Sequence, residues 1–435
     1  MNDVADAGGA LERLLEGRPQ ALARAPDWFT RLRAAAVDRA GALKLPTMRD
    51  EEWRFTDIAA LASRSFQPVQ ALSDSAPADV ARFALDEAPV RLVFVDGVHA
   101  PALSSRPHGA PFVVTTIAEA LAARNGALEA HLGAHCPIKD DVFTAINTAY
   151  LRDGALIVVP RDVAVESPVH LLFIATRPDG ASHPRTLVIA EAGSSSTVIE
   201  DFVALTDEAY LTNAVTEIAL ADNARLTHVR VQRESRAAFH IGRSVASLAR
   251  AASYRSIAVA LGARISRLDL VVTQAGEGAE CTLDGLALID GNQLADTHSV
   301  IDHVTAHGTS RQQNKCIVGG AAHAVFNGKI LVRRGAQKID SAQSSRNLLL
   351  SPKARVDTKP QLEIFADAVK CAHGATIGQL DADEVFYLQS RGVSEAAARN
   401  LLTYAFGAEI IDRIPVASLK TRLDETVLAH TAGSP

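Results

Sequence analysis

Apolar positions change rhythm along the chain. Up to residue 45 they recur at helical spacing: Leu11, Leu14 and Leu15, then Phe29, Leu32 and Ala36. That is the period of a helix burying one face. Pro19 and Pro26 break the run and Pro46 ends it, because proline removes a donor and clashes with the preceding turn. Met48–Ile58 (MRDEEWRFTDI) follows, and residues 65–90, rich in Ala, Ser and Pro, predict loop. Val90–Val95 predicts a strand and Ile117–Leu132 a helix.

From about residue 154 to 365 the rhythm shortens to that of strands. Leu156–Val159, His170–Ala175, Thr186–Ala190, Thr197–Val203, Ala214–Leu220, Arg225–Val231 and Arg267–Val272 are β-branched runs, several alternating polar with apolar. No long amphipathic helix separates them, which argues against an α/β sheet whose crossovers need helices. Small-residue corners recur instead: Asp222–Ala224, Leu261–Ala263, Gly276–Ala279, Gly319–Ala322, Arg334–Ala336 and Ser351–Ala354. Neighbouring corners are often roughly 14 to 18 residues apart, a degenerate repeat that favours a β-solenoid over a sandwich of hairpins. The one hairpin-like signal is Asn327-Gly328, between Val325-Phe326 and Ile330-Leu331.

After Gly378 helices return. Asp381 with Glu384 predicts a capped start, Gln389 the end and Gly392 the C-cap. Ser394 starts a second helix, in which Leu402, Phe406, Ile410 and Ile414 form an apolar stripe that Pro415 terminates. Such a stripe either packs on its own protein or docks a partner. The expected organisation is a helical and mixed region over residues 1–150, a β core over 151–370 and a helical domain over 371–435.

The chain has 435 residues, 48% apolar and 22% charged, a composition that excludes disordered, collagen-like and membrane-spanning classes. Its formal charge of −6 gives no electrostatic case for nucleic acid or an anionic membrane. Four dispersed cysteines without a CxxC point to a reducing compartment, and the acidic start MNDVADAGG lacks a secretory h-region, so the cytoplasm is expected.

Several catalytic signatures are absent. No GxxxxGK[ST] is present, so no nucleotide is expected through a P-loop, and Gly276-x-Gly278 lacks the third dinucleotide glycine. Gly242–Ala246 (GRSVA) imitates a nucleophile elbow without the strand–turn–helix setting. His298, His303, His307 and His323, with Asp302 and Cys316, form a His-rich stretch. On a strand, His303 and His307 would share a face about 13 Å apart, too far for one metal. Asp140-Asp141 and Asp50-Glu51-Glu52 read as solvated carboxylates. Cys371 and His373, two apart in VKCAHGATIGQ, would point to one side of an extended chain and suit a soft metal. Two ligands do not close a site, so the others would come from elsewhere in the fold or from a partner.

Glu51–Ile58 (EEWRFTDI), Ala324–Val332 (AVFNGKILV) and Ala336–Ile411, with KCAHGATIGQLD and FYLQSRG, together resemble the SufB/SufD family of iron–sulfur cluster assembly proteins. The match is to the SufD form, in which Gly374 stands where the SufB form carries Glu. The resemblance is densest over residues 324–415 and its layout covers nearly the whole chain. It implies a right-handed parallel β-helix core with an N-terminal helical region and a C-terminal helical domain. It also implies a non-catalytic scaffold in a SufBCD complex, pairing with SufB through the β-helix. The SufC ATPase would dock on the helix pair at Asp381–Ile414, that is on Asp381, Leu402, Phe406, Ile410 and Ile414. The family's functional histidine falls on His373, with Cys371 beside it, as a half-site for iron or a nascent cluster that a SufB cysteine helps complete. ATP-driven SufC dimerisation would pull on the C-terminal helices and expose that half-site, and nucleotide would belong to the partner.

Two rival classes remain. A homodimeric scaffold would pair the β-helix edge with itself. A carbohydrate-active β-helix enzyme would line a groove with acids and aromatics, but aromatics are 5% here and residues 154–365 hold no Trp.

Overall fold

From Ser195 to Gly378 each strand pairs, in parallel, with the next strand but one. Alternate strands therefore build two facing sheets, of 11 and 10 strands, and the chain climbs as a parallel β-solenoid of about eight coils. The computed structural model describes residues 25–69, 71–72, 78–107 and 109–432, together with residues 9, 11, 13 and 14; Leu15 and Pro19 lie outside them. Register is continuous along the stack: Ile265 pairs with Leu294, Leu294 with His323, and His323 with Arg355. A sandwich needs antiparallel neighbours. Such pairing occurs here at the N-terminal end, where Val98–His99 meets Val90–Val95 and Val113–Thr116 meets Gly154–Val159. Because Val90–Val95 also pairs in parallel with Val169–Ala175, the solenoid reaches back beyond residue 151, and its last strand runs on to Gly378.

The small corners have a stereochemical cause. Asp162, Gly193, Asn223, Ala251, Gly278, His307 and Lys338 all carry positive φ. They stack, and each N–H donates at 2.6–3.0 Å to a carbonyl of the next coil, from Asp162 to Ala192 up to Lys338 to Ala368. A left-handed residue turns the chain sharply, and short side chains tolerate that conformation best. His307 is thus a corner, not a strand residue, and the strand before it ends at His303.

Asn327-Gly328 is a correction. It lies inside the strand His323–Val332, flanked by parallel partners, and makes no hairpin. A Cβ at Gly328 would overlap the amide of Gln343, so glycine is there to let a neighbouring side chain cross the interior. Ile117–Leu132 also differs: it is two short helices, Ile117–Ala122 and Gly126–His131, parted at Arg124 with φ 53°. Residues 65–90 contain the short strand Gln67–Pro68 and the 3-10 helix Ala78–Phe83.

The helices cover the two outer faces. Asp27–Ala42 and Val142–Tyr150 pack with Phe239, Ile241 and Ile265 over one sheet. Glu395–Ile411 and Ala417–Ala432 pack with Val229, Ile257, Leu286 and Ile317 over the other. No helix among the described residues is long and apolar enough to cross a membrane.

Candidate functional site

The last coil leaves one terminal strand in each sheet among the described residues, Arg355–Ile364 and Val369–Gly378. Cys371 and His373 lie on the second. Cys371 packs against the interior cluster of Ile330, Val332 and Ile339, so alternation turns Val369, Cys371 and His373 toward the solenoid interior. With no further coil above, that interior is an open mouth: Cys371 is half-buried and His373 exposed. A Cβ at Gly374, on the opposite face of the strand, would meet nothing within 4 Å, so packing does not demand glycine there.

The rung below is polar. Ser341 is in register with Cys371, and Gln343 with His373. Ser341 Oγ is 2.6 Å from Ser310 Oγ, which is 3.1 Å from His303 Nε2. Gln343 Nε2 donates to Gln312 Oε1 at 2.8 Å, and Gln312 Nε2 to Ser299 Oγ at 2.7 Å. Apart from His303, periodicity singles out none of these residues, because a polar side chain facing inward breaks the apolar alternation of a strand.

Of the four cysteines, Cys136, Cys281 and Cys316 are buried and all are free thiols. Burial pushes Cys281 and Cys316 up to about 12. Burial, and then the Asp340 carboxylate, raises Cys371 as well, so a metal binding there displaces a proton. Imidazole and thiolate suit iron. Among the described residues no group of three or more His, Cys, Asp or Glu side chains is placed to hold a metal ion.

Asp381 caps the helix Ala382–Ser390, accepting from Asp383 N–H at 2.8 Å. The stripe on Glu395–Ile411 lies differently from the docking expectation. Ile410 and Ile414 are buried against the solenoid, Phe406 packs beside them, and Leu402 is half-buried. They face inward because the outer sheet face presents Ile257, Leu286 and Ile317 as an apolar bed that these helices cover. Solvent instead meets Phe386, Tyr387 and Leu401.

The sequence profile for the SUF system FeS cluster assembly SufBD core domain matches residues 173–406, and that for the SufBD N-terminal region matches residues 16–171. An iron–sulfur cluster assembly SufBD family protein of Synechocystis is 41% identical over 413 residues, 92% of this chain and 90% of the relative. The iron–sulfur cluster assembly protein SufD of Escherichia coli is 33% identical, covering 87% of this chain and 88% of its own. A chloroplastic protein of Arabidopsis thaliana, ABCI7, is 31% identical over 88% of this chain and 82% of its own. The chain belongs to the SufB/SufD family of iron–sulfur cluster assembly proteins.

In this SufB/SufD chain the EEWRFTDI segment is a strap. Arg267 lies 3.9 Å over the Trp53 ring and donates to the Glu52 carbonyl at 2.9 Å, while Thr56 Oγ1 donates to Asp296 at 2.5 Å. Lys359 meets Glu51 at 2.7 Å. The His-rich stretch is dispersed. His298 joins Asp296 and Glu52, His303 turns inward, His307 forms a corner, and His323 meets Asp357 at 2.7 Å. Asp141 is not a solvated carboxylate: it caps Val142–Tyr150 and pairs with Arg243 at 2.7 Å. GRSVA lies within the strand Phe239–Leu248, away from any strand–helix turn.

Proposed function

We propose that this chain is a non-catalytic scaffold subunit of a SufBCD-type complex, in which iron and sulfur are substrates assembled across an interface. The observation that carries the reading is the open end of the solenoid, where two terminal strands lie uncovered among the described residues and one of them carries Cys371 and His373. Edge strands offer unpaired N–H and C=O groups that template further pairing. A SufB solenoid continuing both sheets would satisfy them and bring its own cysteine over the two ligands. The four-coordinate set that two side chains cannot supply would then be shared between chains.

The C-terminal helices supply the natural surface for a SufC ATPase. Ala382–Ser390 has Val385 as its buried residue and leaves Phe386 and Tyr387 in solvent beside the capping Asp381. Ile410 and Ile414 would serve as the anchor through which a pull on that surface reaches the solenoid. Nucleotide would stay with SufC.

The test is anaerobic co-expression with cognate SufB and SufC, followed by light-scattering mass on a sizing column. The expected mass is one copy of this chain, one SufB and two SufC. His373→Ala should keep that mass and lose cluster assembly. A homodimer of this chain with both partners eluting separately would overturn the reading, and loss of the complex in His373→Ala would remove the ligand role.

A further inference from the structure

Two amide side chains and a hydroxyl form a ladder up the solenoid interior, on Ser299, Gln312 and Gln343. Gln343 donates its amide N–H to Gln312 on the coil below, and Gln312 meets Ser299 on the facing sheet, donating to its Oγ at 2.7 Å and accepting from it at 3.1 Å. Such a ladder is self-consistent only if each carbonyl accepts from the rung above. At the top rung that has not happened: Gln343 Oε1 is buried and has no hydrogen-bond partner among the described residues. A buried carbonyl left unmatched costs about 1–3 kcal/mol, so an orphan here asks for a donor. The residue in register directly above is His373, one strand spacing away, about 4.8 Å.

Gln343 is also held for that task. Its Nε2 donates to Gln312 at 2.8 Å, which leaves Oε1 as the free end of the amide. The opposite sheet makes room for it at Gly328, where a Cβ would collide with the amide. The glycine of AVFNGKILV thus serves the passage of the Gln343 side chain rather than a turn.

We propose that Gln343 is a positioning residue for His373. Its side-chain carbonyl accepts the proton of one imidazole nitrogen, and the other nitrogen is thereby left unprotonated at the mouth of the solenoid. The value of this contact rests on the reading of His373 as a ligand, because a ring with one fixed tautomer presents its lone pair to a metal without first rearranging. The contact itself stands on register and on the orphan carbonyl.

The experiment uses the full chain labelled with ¹⁵N-histidine, and reads the two ring nitrogens of His373 by two-bond ¹H–¹⁵N correlation. His373→Asn assigns the signals, and the measurement is made at about pH 8.5, where an ordinary imidazole is neutral. The wild-type protein should show one protonated-type and one unprotonated-type nitrogen. In Gln343→Met the two shifts should converge toward the average of exchanging tautomers, and Gly328→Ala, which displaces the amide without altering it, should do the same. Circular dichroism reports whether the sheets persist. Averaged shifts in the wild-type chain would overturn the proposal whether or not a variant folds, as would a locked ring unchanged in folded Gln343→Met. Cluster assembly by His373→Ala complexes is read separately. A locked ring with undiminished assembly in that variant supports the positioning contact and overturns the ligand role.

Discussion

Lys315 Nζ donates to the main-chain carbonyl of Phe406 at 2.9 Å, and the same ammonium stands 4.4 Å over the Phe406 ring. Its side chain is 2% exposed and also pairs with Glu409. Arg413 reaches the same sheet face through Asp284 and Gln313. These contacts join the C-terminal helices to the solenoid rather than to each other. Lys315→Met keeps the stem and removes the cation, and should cost about 1–2 kcal/mol. The loss should appear as faster hydrogen exchange in Glu395–Ile411, with the central strands unchanged. Uniform protection would refute the anchoring role.

His298, 8% exposed, gives a pH-dependent contact between the strap and the solenoid. Burial alone would lower its pKa, but Asp296 at 3.1 Å and Glu52 at 3.3 Å outweigh burial and the nearby Arg267, holding it at about 9. A folded pKa above the unfolded value of about 6.5 stabilises the native state fully below that value, and the benefit fades as pH rises through about 9. Denaturation of wild type and His298→Gln at three pH values should show a stability gap that is widest near about pH 6 and nearly closed by about pH 10. A constant gap would mean that folding does not raise the affinity of the imidazole for its proton.

Glu217 ties the N-terminal region to the stack. It pairs with fully buried Arg185 at 2.6 Å and accepts from the N–H groups of Gly133, His135 and Cys136 at 2.9–3.0 Å. Glu217→Ala leaves a buried guanidinium and three amides without their acceptor, and should cost about 3–5 kcal/mol. Urea denaturation checks the size. Cys136 should also become reactive toward a thiol reagent at urea concentrations that leave it protected in the wild type.

Thiol titration of the native wild-type chain should find one reactive cysteine, Cys371, and four after unfolding. Burial holds the Cys136, Cys281 and Cys316 thiols protonated and out of reach, while Cys371 opens on the mouth of the solenoid. Cys371→Ser should abolish the fast phase. A second fast thiol would contradict the described burial.

The order of textures along the chain was legible in the sequence, because strand alternation, small corners and helical stripes are local properties of residues i, i+2 and i+4. Solenoid rather than sandwich was legible from corner spacing, since a left-handed corner limits which residues stand there. Cys371 and His373 were legible as a pair because two apart on a strand means one face.

Other features depended on register. Whether the stripe of Leu402, Phe406, Ile410 and Ile414 faces a partner or its own sheet depends on what lies opposite, which no helical period records. Asn327-Gly328 carries the same two letters in a hairpin and in a strand, and only the crossing of Gln343 from a strand about 15 residues later decides between them. The pairing of Gln343 with His373 joins residues 30 apart through one coil of the solenoid. Local propensity extends over a few residues, whereas the register of a closed stack is set by every coil beneath it. The chain therefore specified most of its elements and the shared face of Cys371 and His373 by itself, and tertiary structure decided which side chains meet.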